Sequence, residues 1–228
     1  MTTVAPAMKL RVAAVLFDLD GTLIDSAPDL AGTANAMRQA RGMEPLPYHR
    51  LRPMVGSGAR GMVGAAFGIV PGDEGFEAMR DEFLARYAQG LLERTRVFER
   101  MLPVVAQIEQ AGLPWGIVTN KHARFTQPVV DGLGLAPRAA VVVSGDTTPH
   151  SKPHPAPLLE AARQLDMSPS RCVYVGDDLR DIVAGRSAGM ATVAAAWGYL
   201  GETEPIETWG ADAVLQDPAE LLNWLGLA

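Results

Sequence analysis

The sequence has few of the features that mark secreted, membrane-spanning or nucleic-acid-binding proteins. Its one cysteine, Cys172, cannot form an internal disulfide, and its apolar neighbours predict a buried thiol in a reducing cytoplasm. No uninterrupted apolar run approaches the roughly 20 residues that a membrane helix requires. A net charge of −6 argues against electrostatic binding to nucleic acid or anionic lipid. We therefore expect a soluble, cytoplasmic protein without those partners.

We also expect no secretory signal at the N terminus. Met1 to Lys9 contain no long apolar stretch followed by a small-residue cleavage site. The 228 residues are enough to bury a sizeable core, either as one large α/β domain or as two smaller ones. We expect the chain to fold unaided.

Short apolar runs alternate with helical stretches along most of the chain. The apolar runs are rich in β-branched residues and predict strands buried on both faces, at 12–17, 115–118, 139–143 and 172–175. Helical patterns lie between them, at 103–111, 156–165 and 179–188. This alternation predicts a doubly wound α/β fold with a parallel sheet.

One segment, residues 26–92, breaks the alternation. It contains no strand-like run, and its apolar residues recur at helical spacing, as in Phe76, Met79, Phe83 and Tyr87. Because it follows the first strand, we expect a small all-helical insert over the carboxyl ends of the strands, where open α/β sheets bind ligands. The insert would act as a lid that excludes water, and a purely structural appendage is the alternative.

Two carboxylates, Asp18 and Asp20, directly follow the first predicted strand. If the backbone turns at Gly21, Asp18 can present an oxygen to a phosphorus atom while Asp20 donates and accepts a proton at the leaving oxygen. Carboxylate is a weak nucleophile, but phosphoryl transfer depends mainly on positioning and charge neutralisation. A solvated turn is the alternative for a bare Asp-x-Asp pair.

Polar residues also follow the other predicted strands. Thr119 and Asn120 offer a hydroxyl and backbone amides to phosphoryl oxygens, although such a pair also serves as a helix cap. Lys152 stands in a proline-fixed loop, where it would neutralise both Asp18 and a phosphoryl group unless it is an ordinary surface lysine. Acidic residues follow the last of these strands, at Asp177, Asp178 and Asp181.

These four segments resemble, in order and spacing, the motifs of the haloacid dehalogenase-like hydrolase superfamily. The resemblance implies a Rossmann-like core at 1–24 and 95–228, with a type 1 helical cap at 25–94. It implies a phosphatase with Asp18 as the nucleophile that becomes aspartyl-phosphate, and further catalytic residues Asp20, Thr119 and Lys152. Phosphate contacts from Gly21, Asn120 and Lys121 are expected beside them.

The same resemblance implies a magnesium ion held by Asp18, the Asp20 backbone carbonyl and Asp177. Mg²⁺ prefers oxygen ligands and keeps several waters. Without a cation, the clustered carboxylates would raise one another's pKa values and impair the nucleophile. Asp181 would lie behind the ligands, orienting a metal-bound water or pairing with Lys152, and Asp178 is interpreted as a carboxylate at a helix N terminus.

The segment Gly56-Ser57-Gly58-Ala59-Arg60 resembles the phosphoglycolate phosphatase-like subgroup. Amides at Ser57 and Gly58 and the Arg60 guanidinium suit a carboxylate, so we expect a small phosphorylated metabolite that carries one. Phosphoglycolate is the first candidate. N-acetylmuramic acid 6-phosphate is the alternative, because residues 98–101 resemble its phosphatases. A phosphosugar mutase is less favoured, and we expect a monomer or homodimer.

Overall fold

The computed structural model describes residues 12–201 and 204–227. Its strands are β1 (Ala14–Phe17), β2 (Ile24–Asp25), β3 (Arg96–Val97), β4 (Trp115–Val118), β5 (Val141–Val143), β6 (Cys172–Gly176), β7 (Ala191–Ala195) and β8 (Ala213–Leu215). Its α-helices are α1 (Ala27–Gln39), α2 (Tyr48–Leu51), α3 (Gly58–Phe67), α4 (Phe76–Gln89), α5 (Met101–Gln110), α6 (Ala123–Gly132), α7 (Ala156–Gln164), α8 (Leu179–Ser187) and α9 (Glu220–Leu225). The prediction that Met1 to Lys9 form no secretory signal lies outside the described residues.

Six parallel strands form the main sheet, in the order β5-β4-β1-β6-β7-β8. The central strand β1 places Phe17 opposite Ile117 on one side and Val175 on the other. Parallel strands end at the same edge of the sheet, so the residues that follow β1, β4 and β6 come together there. The predicted α/β class with a parallel sheet is confirmed.

Alternation along β1 distributes its side chains between two cores. Val15 and Phe17 join the apolar cluster that contains Trp115, whereas Ala14 and Leu16 join the one that contains Tyr174. Successive side chains of a strand point to opposite faces, and this strand is buried on both. Full burial of a side chain such as Phe17 contributes about 2 to 3 kcal/mol relative to exposure.

The four helices α1 to α4, residues 27–89, form what we call the helical insert. Their apolar side chains share one buried cluster that includes Met37, Met62 and Phe83. Phe125 from α6 and Tyr199 from the loop after β7 belong to the same cluster, so the insert packs directly on the α/β part. The all-helical insert expected after the first strand is thus present. The exact boundaries 25–94 stay a prediction.

A two-stranded antiparallel ribbon marks the places where the chain enters and leaves the insert. It pairs Ile24 with Val97 and Asp25 with Arg96. Beside it, the buried Asp29 carboxylate accepts hydrogen bonds from the backbone N–H of Arg94, from that of Thr95 and from the Thr95 hydroxyl, at 2.7–3.2 Å. The two chain crossings are therefore held together.

The sequence pattern predicted some elements better than others. The strand at 115–118 is confirmed, and the first predicted strand begins at Ala14 rather than at residue 12. The ribbon and β8 were not predicted, because two- and three-residue strands are too short to show a periodicity. Cys172 is fully buried, as expected. In the described ranges, no helix has both the length and the apolar character needed to traverse a bilayer.

Candidate active site

A cavity of about 550 Å³ lies between the carboxyl edge of the sheet and the helical insert. Eleven of the residues proposed from the sequence line it: Asp18, Asp20, Ser57, Gly58, Thr119, Asn120, Lys121, Lys152, Asp177, Asp178 and Asp181. Two proposed residues, Gly21 and Arg60, are not part of the lining. Residues far apart in sequence thus share one volume large enough for a small molecule.

Lys152 is the buried positive centre of this cavity. Its Nζ lies 2.8 Å from Asp18 Oδ1 and 2.8 Å from Asp181 Oδ1, and it also donates to the Tyr174 hydroxyl at 2.7 Å. Burial disfavours the charged ammonium, but the two carboxylates outweigh burial and raise the pKa of Lys152. Lys152 therefore remains a cation between two acids.

The loop that carries Lys152 is fixed to the end of β4. Lys152 N donates to Asn120 Oδ1 at 2.9 Å, and Asn120 Nδ2 donates to the Lys152 carbonyl at 3.0 Å. Thr119 is buried, and its hydroxyl accepts a hydrogen bond from Lys121 N at 3.1 Å. At the N terminus of α6, Ala123 N donates instead to Asp146 Oδ1 at 2.8 Å, so Thr119 does not cap this helix.

Three carboxylates, from Asp18, Asp177 and Asp181, have oxygen atoms that all lie within 4.8 Å of one another. Burial raises the pKa of Asp18 to about 7, against the opposing effect of Lys152. Burial, Asp18 and Asp181 raise the pKa of Asp177 well above its ordinary value. Buried acids this close repel one another when ionised, and a divalent cation relieves that repulsion. The donor set suits a hard cation with oxygen ligands.

The orientation of Asp177 is fixed by donors on both of its oxygens. Thr22 Oγ1 donates to Oδ1 at 2.8 Å, and Tyr199 N donates to Oδ2 at 2.7 Å. Gly21 has a φ of +91°, and a Cβ at this position would collide with the Asp177 carboxylate. Gly21 thus makes room for Asp177 rather than contacting the cavity itself. Such outer contacts hold a metal-binding carboxylate in one orientation.

The carboxylate of Asp20 lies apart from this acidic cluster and is bound by Lys121 and Ser26. Lys121 Nζ is 3.1 Å and 3.3 Å from its two oxygens, and Ser26 Oγ donates to Oδ1. The same ammonium donates to the Tyr87 hydroxyl of α4 at 2.8 Å. Burial opposes the charge of Lys121, but Asp20 outweighs it and raises the pKa of Lys121. Lys121 therefore links Asp20 to the helical insert, which its place beside Thr119 in the sequence did not indicate.

Asp178 caps α8. Its Oδ1 accepts from Arg180 N at 2.9 Å, while Asp178 N donates to Asp181 Oδ2 at 3.1 Å, and together these form a capping box. Although burial opposes it, the Arg180 guanidinium lowers the pKa of Asp178. Arg180 also donates to the Gly56 carbonyl in the insert. Arg180 was not singled out from the sequence, since a lone arginine in a helix gives no signal.

Arg60, which the sequence analysis proposed for substrate recognition, does not line this cavity. Arg60 is exposed and outside the cavity lining, because α3 buries its Gly61, Met62 and Val63 side against the rest of the insert. The arginines that do line the cavity are Arg80, Arg124 and Arg180.

Comparison with known proteins agrees with this geometry. Residues 15–195 match the family model described as haloacid dehalogenase-like hydrolase. The chain is 45% identical over 220 residues to the N-acetylmuramic acid 6-phosphate phosphatase of Pseudomonas aeruginosa, covering 96% of this chain and 97% of the relative. It is 46% identical over 209 residues to the phosphoglycolate phosphatase of Xanthomonas campestris pv. campestris, covering 91% and 94%.

A solved structure shares the fold over most of the chain. The crystal structure of a predicted phosphoglycolate phosphatase from Haemophilus somnus superposes with a TM-score of 0.81 at 26% identity, covering 93% of this chain and 97% of that one. The family match includes β1, the insert and the strands through β7. The chain belongs to the haloacid dehalogenase-like hydrolase family.

Proposed function

We propose that this protein is a Mg²⁺-dependent phosphomonoester hydrolase that forms an aspartyl-phosphate on Asp18. One observation carries the proposal. The Lys152 ammonium, with 3% of its side chain exposed, lies 2.8 Å from Asp18 in the cavity that also contains Asp20 and Asp177. A buried cation beside a nucleophilic carboxylate allows that carboxylate and a phosphoryl group to approach despite their like charges.

The proposed reaction has two steps, and each uses groups of this chain. In the first, an Asp18 oxygen forms a bond to phosphorus as the ester O–P bond breaks, and Asp20 gives its proton to the leaving oxygen. In the second, Asp20 takes a proton from water, the water oxygen bonds to phosphorus, and the Asp18 O–P bond breaks to release inorganic phosphate. Lys152 and Thr119 hold the phosphoryl oxygens in this scheme.

Mg²⁺, when bound, would neutralise phosphoryl charge that Lys152 alone does not balance. Asp18 and Asp177 are the proposed side-chain ligands, with the Asp20 carbonyl as a third. Asp181 is close enough to belong to the same oxygen cluster, but Lys152 binds its Oδ1 and Asp178 N binds its Oδ2. We therefore propose that Asp181 positions Lys152 and is not a ligand of the cation.

The proposed substrates are phosphomonoesters that carry a carboxylate. Relatives of nearly equal identity act, by their names, on phosphoglycolate and on N-acetylmuramic acid 6-phosphate. Phosphoglycolate came first on sequence grounds, but a cavity of about 550 Å³ favours the larger sugar phosphate over a two-carbon acid. We propose N-acetylmuramic acid 6-phosphate as the preferred substrate and phosphoglycolate as the second candidate.

Phosphate release from a panel of esters tests the proposal. The panel contains both candidates and common sugar phosphates, assayed with Mg²⁺ and with excess chelator. Asp18→Asn should reduce turnover by at least about 1,000-fold. Asp166→Asn is the matched control, because Asp166 is exposed and asparagine tolerates its left-handed φ of 54°. Undiminished turnover by Asp18→Asn would exclude Asp18 as the nucleophile, and product that retains its phosphate would indicate a mutase.

A further inference from the structure

The positive side chains around the cavity are nearly all paired with acids. Lys152 is bound to Asp18 and Asp181, and Lys121 to Asp20. The remaining pairs join Arg80 to Glu77 and Asp81, and Arg180 to Asp178. Among the lysines and arginines of this lining, within residues 12–201 and 204–227, Arg124 alone has no carboxylate at salt-bridge distance.

The Arg124 side chain is exposed, and its guanidinium stacks on an aromatic ring. It is the second residue of α6, and its guanidinium carbon lies 4.5 Å from the centroid of the Phe125 ring. Phe125 is buried against the insert, and its ring centroid lies 5.7 Å from that of Tyr87. The guanidinium therefore stacks on a ring that is itself packed. Stacking on an aromatic face leaves the guanidinium N–H groups free to bind a planar anion at their edge.

Arg124 lies on the side of the cavity where we expect the leaving group, rather than the phosphoryl group, to bind. A second cavity of about 430 Å³ adjoins the main one, and the two share Asp81, Leu84, Arg124 and Phe125 in their linings. Neither Asp18 nor Lys152 lines this second cavity, whose remaining walls are Ala85 and Ala88 of α4. Because Arg124 also lines the main cavity, the organic part of a ligand whose phosphorus is at Asp18 can reach it.

We infer that Arg124 binds the carboxylate of the substrate's leaving group, in the role that the sequence assigned to Arg60. This inference rests on the proposed phosphatase function. An arginine can bind a carboxylate through two parallel N–H···O bonds, which gives both affinity and orientation. The apolar side chains beside Arg124, Leu84 and Phe125, suit the uncharged part of such a leaving group. Both candidate substrates are phosphomonoesters with a carboxylate on the organic part.

Matched pairs of esters test the inference. N-acetylmuramic acid 6-phosphate is compared with N-acetylglucosamine 6-phosphate, which lacks only the carboxylate-bearing ether, and phosphoglycolate is compared with ethyl phosphate. Arg124→Gln should lower kcat/KM about 10- to 100-fold for the carboxylate-bearing ester, mainly through KM, and leave its partner within about twofold. The pair that responds identifies which carboxylate Arg124 binds. Arg163→Gln, at an exposed arginine of α7 outside both linings, is the control.

A binding measurement keeps the inference separate from the hydrolase proposal. Calorimetry with N-acetylmuramic acid, N-acetylglucosamine and glycolate needs no turnover. The wild-type protein should bind one of the two acids more tightly than N-acetylglucosamine, and Arg124→Gln should lose that advantage. Equal losses of kcat/KM for both members of each pair would overturn the inference, as would acid binding that Arg124→Gln leaves unchanged. If the protein hydrolysed no ester but still bound the acid in an Arg124-dependent way, the hydrolase proposal would be overturned. The proposed carboxylate site at Arg124 would then stand.

Discussion

The α/β part and the helical insert contribute different kinds of groups to the cavity that they enclose. The α/β part supplies charged and polar side chains at strand ends, such as Asp18, Lys152 and Asp177. The insert supplies mainly apolar walls, including Leu30 and Phe83. In the proposed mechanism the reaction chemistry therefore depends on the sheet edge, and the insert contributes apolar walls to the space for the leaving group.

Polar contacts join the two parts on both sides of the cavity. On one side, Lys121 connects Asp20 to the Tyr87 hydroxyl of α4. On the other, Arg180 connects Asp178 to the Gly56 carbonyl. On each side, a charged side chain of the α/β part binds both the insert and an acidic residue of the cavity. Variants of these contacts can separate the contribution of the insert to turnover from that of the α/β part.

Among the variants that compare the two parts, the largest effect is expected from Lys152→Met, which removes the positive centre of the α/β part. Turnover should fall about 100- to 1,000-fold, because no other donor replaces the ammonium at the phosphoryl group. The free energy of unfolding should fall by about 3 kcal/mol, because Asp18 and Asp181 lose their buried partner. Steady-state kinetics and urea denaturation measure the two effects. Near-normal turnover would contradict the proposal that the reaction takes place at the sheet edge.

The next effect concerns the pH dependence of Mg²⁺ binding. Burial raises the pKa of Asp18 to about 7 in the metal-free protein, so below pH 7 the cation must displace a proton. Burial and the neighbouring carboxylates also raise the pKa of Asp177, the second proposed ligand. Mg²⁺ affinity should therefore rise as the pH increases through 7, by up to about tenfold per pH unit for each proton displaced. Calorimetry in two buffers of different ionisation enthalpy should detect the released proton at pH 6. Affinity that does not change between pH 5.5 and 8 would contradict an Asp18-bound cation.

A smaller effect is expected from Tyr87→Phe, which breaks the contact between the insert and Lys121. The ring keeps its stack on Phe83, at 6.4 Å between centroids, so packing is preserved. We expect kcat to fall about 3- to 10-fold with KM nearly unchanged, because Lys121 then holds Asp20 less firmly. Tyr48→Phe, at an exposed tyrosine of α2, is the control. A change confined to KM would assign Tyr87 to substrate binding instead of to the positioning of Asp20.

The smallest effect is expected from Arg60→Gln. Arg60 is exposed and outside the cavity lining, so kcat/KM for every ester should stay within about twofold of the wild type. Measured beside Arg124→Gln, this variant identifies which arginine recognises the carboxylate. A selective loss for carboxylate-bearing esters in Arg60→Gln would restore the sequence-based interpretation of the segment at Gly56.

The contrast between the two parts also explains what the sequence could predict. Asp18, Thr119 and Asp177 directly follow buried strands, and parallel strands bring their carboxyl ends to one edge, so order along the chain predicted proximity in space. No such rule governs the insert. The side of α3 that faces the cavity depends on how the helices pack, so the sequence did not show that Arg60 lies outside the cavity lining. Arg124, in α6 of the α/β part, was not singled out, because a lone arginine in a helix gives no signal. The link from Lys121 to Tyr87 depends on the same packing.

The Asp29 carboxylate, bound to Thr95 beside the two-stranded ribbon, has a consequence for how such proteins diversify. Because the beginning and the end of the insert are tied side by side, the segment between them joins the α/β part at one crossing. A foreign insert would have to match this crossing and the apolar contacts with Phe125 and Tyr199, while the sheet edge is left untouched. The apolar walls of the cavity would then change without rebuilding the phosphoryl-transfer machinery.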